Sequence, residues 1–137
     1  MVTFASSISV VFGLLALASA APSLQGRDVS CRDDLGAPDF GHASEAVECI
    51  NYLAGLGNQA CVSSISGVNF CRRGSTQITG LSKTGKNGAT SSCANVARAA
   101  GAIMDRCTRQ AADGVLFVKG SNEAWGNGDL LVDIRKV

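Results

Sequence analysis

The chain has 137 residues, with 12 Lys and Arg against 11 Asp and Glu for a formal net charge of +1, and it is 46% apolar but only 5% aromatic. That balance excludes binding by bulk positive charge, and the scarcity of aromatics leaves no stacking platforms interleaved with bases, so no nucleic acid partner is expected. Six cysteines in so short a chain point instead to a disulfide framework.

Met1 to Ala20 carry no charged side chain, hold an apolar run from Ile8 to Ala18, and end in Ala18-Ser19-Ala20, the small-x-small pattern of signal-peptidase cleavage. A run of 11 residues is short of the roughly 20 that a spanning helix needs. Residues 1–20 are therefore read as a signal peptide, 21–30 as a flexible leader and 31–137 as one cysteine-rich domain, secreted and extracellular. Arg27 offers a second processing site, although lone basic residues are common by chance.

Six acids, Asp28, Asp33, Asp34, Asp39, Glu45 and Glu48, fall between Asp28 and Glu48 with Arg32 as the one Lys or Arg. Apolar positions Ala46, Cys49, Ile50, Leu53 and Ala54 then share a helical face, which predicts a first helix near Ser44 to Leu56, with Ser44 as N-cap and Gly55 or Gly57 as its stop. Strands are predicted at Cys61 to Ile65, Val68 to Arg72 and Gln77 to Leu81. A second helix follows the Ser91-Ser92 cap, with Cys93, Val96, Ala97, Ala100, Ile103, Met104 and Cys107 on one face. Val115 to Lys119 and Leu130 to Arg135 complete the strands. The last alternates Leu131, Asp133 and Arg135 against Leu130, Val132 and Ile134, behind a tight turn at Gly126-Asn127-Gly128-Asp129. The order predicts an α+β fold, two helices packed on one face of a small antiparallel sheet and stapled by three disulfides.

The cysteines stand at Cys31, Cys49, Cys61, Cys71, Cys93 and Cys107, with gaps of 17, 11, 9, 21 and 13 residues. No Cys-x-x-Cys pair occurs and His42 is the single histidine, so a structural zinc site is disfavoured and no metal or cofactor is expected. Fifteen pairings are possible in principle. A Cys93–Cys107 bridge is excluded: on one helix they would stand about 21 Å apart, far beyond the ~7 Å limit.

Several motifs invite chemistry, and each has a plainer reading. Gly80-Leu81-Ser82-Lys83-Thr84-Gly85-Lys86-Asn87 falls one residue short of a phosphate loop, since Asn87 replaces the hydroxyl that would hold magnesium and the helix begins late; a Gly-Lys loop is the better reading. Gly55-Leu56-Gly57 closes a helix where a dinucleotide fingerprint would open one. His42 and Glu45 could be drawn as a proton-transfer pair, but one histidine serves acid–base catalysis poorly, so no catalytic residue is assigned. Between Cys49 and Met104 there are no acids and five bases, Arg72, Arg73, Lys83, Lys86 and Arg98. These segments either face the acidic one in the fold or are solvated; the functional reading makes Arg72, Arg73, Lys83 and Lys86 a surface for an anionic partner. Trp125, the one tryptophan, is read first as packing and second as an exposed anchor that joins that candidate surface.

The signal, the cysteine order and the segments Ala46-Val47-Glu48-Cys49-Ile50, Asn69-Phe70-Cys71-Arg72, Ser91-Ser92-Cys93-Ala94-Asn95-Val96 and Gly126-Asn127-Gly128-Asp129-Leu130 resemble small secreted cysteine-rich proteins of filamentous fungi. More loosely, the chain is similar to the extracellular effector family with a necrosis-inducing-factor-like domain and to α/β-sandwich killer toxins. The resemblance implies an extracellular protein that acts on a host or competitor by binding, and the chain is read as a secreted, monomeric binding protein of effector or virulence type, with a host or competitor protein or surface as partner. An antimicrobial or killer-type toxin is the alternative and a small hydrolase the third reading.

Overall fold

A computed structural model describes residues 29–32 and 39–137. The expected signal peptide, most of the leader and the Arg27 site lie outside these residues.

Among the described residues, ten strands and two helices follow in the order β1 (Ser30–Cys31), β2 (Gly41–His42), α1 (Ala43–Gly55), β3 (Ala60–Val62), β4 (Val68–Arg73), β5 (Thr76–Ser82), β6 (Thr90–Ser92), α2 (Cys93–Cys107), β7 (Thr108–Gln110), β8 (Leu116–Val118), β9 (Gly120–Ala124) and β10 (Asn127–Lys136). The fold is α+β, but the strands divide into three sheets instead of one. The largest has the order β1-β9-β10-β5-β4, flanked by β2-β8-β7 and β3-β6. All the strand pairings are antiparallel; one isolated parallel bridge joins Ser64 to Leu81.

The central strand β10 shows how sequence alternation builds the core. Leu130, Val132 and Ile134 are fully buried, as are Ile78 on the paired strand β5 and Asn122 on β9. Helix α2 packs against β9 and β10, helix α1 against β4 and β5, and the helices touch each other. Buried Ala46, Cys49 and Leu53 of α1 and Val96, Ala99, Ala100 and Ile103 of α2 join the strand residues in one apolar cluster. Small helix residues let the layers approach closely. At Gly120 a β-carbon would come within 2.8 Å of the Cys107 Sγ and 2.9 Å of the Ser30 carbonyl oxygen.

The caps differ in how well the sequence marks them. Ser92 caps α2 as expected, its hydroxyl accepting from the Asn95 N–H at 3.1 Å. The N-cap of α1 is His42 instead of Ser44, with no side-chain bond, because the preceding strand β2 runs directly into the helix and places Ser44 inside it. The last turn also shifts: Trp125 and Gly126 form it, and β10 begins at Asn127. Gly126 supplies the positive φ of 80° there, and the Asn127 side chain accepts the Asp129 N–H at 2.9 Å within the strand.

All six cysteines are paired, Cys31–Cys107, Cys49–Cys71 and Cys61–Cys93. Cys93 and Cys107 staple the two ends of α2 to β3 and β1, and Cys49 ties α1 to β4. Each helix is thus fixed to a strand.

Candidate functional site

The residues singled out as a basic surface do not converge. Arg72 and Arg73 end strand β4, whereas Lys83 and Lys86 lie beyond the far end of β5, a seven-residue strand that spans about 20 Å. Three of the four are also engaged locally. Arg72 donates to the Gly74 carbonyl at 3.2 Å, Arg73 lies over the Tyr52 ring at 5.1 Å, and Lys83 pairs with Glu123 at 2.6 Å. The Gly-Lys loop leads into strand β6 and is held by the Lys83 and Thr84 N–H groups, which donate to the Asp129 carbonyl and side chain at 2.8 Å each. Nothing in that geometry aims a helix N-terminus at a phosphate. Trp125 is half-buried against the core at the β9–β10 turn, its carbonyl accepting from the Ser91 hydroxyl at 2.7 Å, and beside it lies a shallow depression bordered by Arg98, Gly101 and Asp105.

His42 and Glu45 are likewise occupied. The His42 ring packs on Phe117 with centroids 5.1 Å apart, and its backbone N–H donates to the Thr76 hydroxyl. Glu45 accepts from the Thr76 hydroxyl at 2.8 Å, the Ser75 hydroxyl at 3.1 Å and the Ser75 N–H at 3.3 Å. The Thr76 bond leads in holding its carboxyl below the usual range, against some desolvation; the Ser75 bonds and nearby His42 add to the lowering. This carboxylate fastens α1 to the β4–β5 turn.

The geometry that stands out is the solvent-facing side of the five-stranded sheet. Residues alternating with the buried ones, Gln77 and Thr79 of β5, Ser121 of β9 and Asp133 and Arg135 of β10, line a concavity of about 480 Å³ together with Lys119 and Arg32. A smaller concavity of about 410 Å³ adjoins it and shares Arg32, Gln77, Lys119 and Arg135. Volumes of this order are those of small-molecule sites.

Lys119 stands where the two concavities meet. It lies between β8 and β9 with buried Val118 and Gly120 on either side, and the Arg32 N–H donates to its carbonyl at 3.3 Å. The residue is 7% exposed, and among the described residues its ammonium makes no hydrogen bond or close ion pair. Burial holds Lys119 below the ordinary lysine range, with Asp133 pulling the other way and Arg135 and Arg32 adding to the lowering. Burial pushes the Asp133 carboxyl above its ordinary range, with Lys119, Arg135 and Arg32 drawing it back. Asp133 and Arg135 make a long ion pair at 3.7 Å, while Lys119 and Asp133 attract each other without a direct contact. Chemically, the face offers a cation beside a carboxylate acceptor, with neutral hydroxyl and amide groups and the apolar side chains of Val68, Leu81 and Leu131 around them. Alternation had already put Asp133 and Arg135 on one side of the last strand. Lys119 was legible only as the charged end of a strand, and its neighbours in space come from chain segments about 90 residues apart.

Fold and face together define a disulfide-stapled α+β domain with a concave sheet surface of mixed polar and apolar lining. The chain belongs to the family described as a domain of unknown function, DUF8794, whose pattern matches residues 26–136. No curated protein and no solved structure matches it. No helix among the described residues is long and apolar enough to cross a membrane.

Proposed function

We propose that the protein is a secreted binding protein of effector type that works outside the cell and presents the open face of its five-stranded sheet to a ligand of the host or of its surroundings. We further read both helices as covering the opposite face of that sheet, which leaves the concave side for recognition. The carrying observation is that concavity, lined by Lys119, Asp133 and Arg135 with Thr79 and Ser121. Extracellular action draws support from the three disulfides, which form and persist in oxidising compartments. The resemblance to small cysteine-rich fungal proteins favours a host or competitor as the target. A toxin acting through one basic patch is less well served, because Arg72 and Arg73 are separated from Lys83 and Lys86 by the length of β5.

The test applies the disulfide-intact protein to host tissue and to competing microbes, with a reduced and alkylated sample beside it. A tissue response that is lost on reduction is the expected result. Growth inhibition of microbes without a tissue response would replace the effector reading by the toxin one.

A further inference from the structure

The Lys119 ammonium presents three donors and a full charge at the meeting of two concavities while its stem is buried. A buried ammonium whose donors make no direct hydrogen bond is costly, and such groups persist where something else completes them. The Asp133 and Asp39 carboxylates attract the ammonium without a direct hydrogen bond, and Asp133 makes its close pair with Arg135. We propose that this face recognises a sugar carboxylate, with Lys119 receiving the carboxylate and Asp133 accepting hydrogen bonds from neighbouring sugar hydroxyls. The inference rests on reading the concave sheet face as the binding surface.

The composition of the lining selects this chemistry. Lys119 and Arg135 stand beside Asp133 in the larger concavity, and Lys136 stands with Asp39 in the smaller one, so cationic donors suited to an anion lie next to carboxylate acceptors. A carboxylate in the same wall would repel a compact dianion such as phosphate, yet it is a good acceptor for the hydroxyls that flank a uronate carboxyl. Gln77, Thr79 and Ser121 supply further uncharged donors and acceptors, and Val68, Leu81 and Leu131 offer apolar surface for a sugar ring. An extended acidic peptide fits less well. The backbone groups of β5, β9 and β10 are engaged in sheet pairing, so a peptide lying on this face would find no strand edge to extend.

The test is calorimetric titration of the intact protein with trigalacturonate, with a neutral galactose trisaccharide and with inorganic phosphate. Saturable binding of trigalacturonate is expected, at least tenfold tighter than of either control and weakening as salt rises. Lys119→Met, which keeps the length of the side chain and removes its charge, should reduce affinity at least tenfold and leave the thermal midpoint equal or higher. Should that variant fail to fold, Arg135→Gln at a half-exposed position serves instead, with a several-fold loss expected. Equal binding of the neutral sugar, equal binding of phosphate, or affinity unchanged by loss of the charge overturns the proposal. The two readings fail separately: a tissue response without uronate binding removes only the ligand, and uronate binding without a tissue response removes only the effector role.

Discussion

At the scale of single residues, the best-defined polar interaction is Glu45, whose carboxylate gathers three donors from Ser75 and Thr76 and leaves no room for a β-carbon on Gly74, a residue at φ 57°. Replacing Glu45 by Gln should lower stability by about 1 kcal/mol near neutral pH, a small figure for charge-assisted bonds because the carboxylate is partly solvated. The pH dependence has a definite sign. The folded pKa lies below the ordinary 4.5, so this stability is present above that value and drains away as the pH falls through the folded pKa. Urea midpoints of wild type and Glu45→Gln should therefore differ near neutrality and converge in acid. The sequence marked Glu45 as one of a run of acids and as a partner for His42, and not as this clasp, because its real partners lie some 30 residues on, across a turn.

Elements show where local pattern suffices and where packing overrides it. Both helices and strands β4, β5 and β10 carry clear apolar periodicity and fall close to their expected bounds. Strand β9 does not, since Gly120-Ser121-Asn122-Glu123-Ala124 is rich in residues that strands avoid. It is held by its place between β1 and β10 and by the close approach of α2, an arrangement that periodicity cannot reveal. Glycines of the two layers make a test. Gly120→Ala would push a β-carbon against Cys107, Ser30 and Ile103, and should cost about 1–3 kcal/mol. Gly101→Ala, in mid-helix with nothing within 4 Å of the new atom, should instead stabilise by roughly 0.5–1 kcal/mol. Thermal midpoints that moved in the same direction for both would contradict this account of the α2–β9 contact.

For the whole molecule, the cysteine arithmetic was legible as three bridges, and the helix geometry excluded one pairing, but the connectivity had to wait for the fold. The same holds for the candidate site, because Arg32, Lys119 and Asp133 meet only once β1, β9 and β10 lie side by side. Chain-entropy arguments rank the staples. Cys31–Cys107 encloses the longest loop, with a separation of 76 residues against 22 and 32, which corresponds to roughly 4–5 kcal/mol against roughly 3–4 for each of the others. Paired Cys→Ser variants at each bridge should follow that order in denaturant unfolding, with Cys31→Ser/Cys107→Ser the least stable.

That same bridge anchors β1, a strand of only two residues, along the outer side of β9. Without it, two backbone pairings would have to keep the strand in place, and its departure would leave the amide and carbonyl groups of β9 facing water as a template on which another molecule could build a strand. The staple is therefore a guard against self-association as much as a source of stability: a preparation handled in reductant should turn cloudy well before it unfolds.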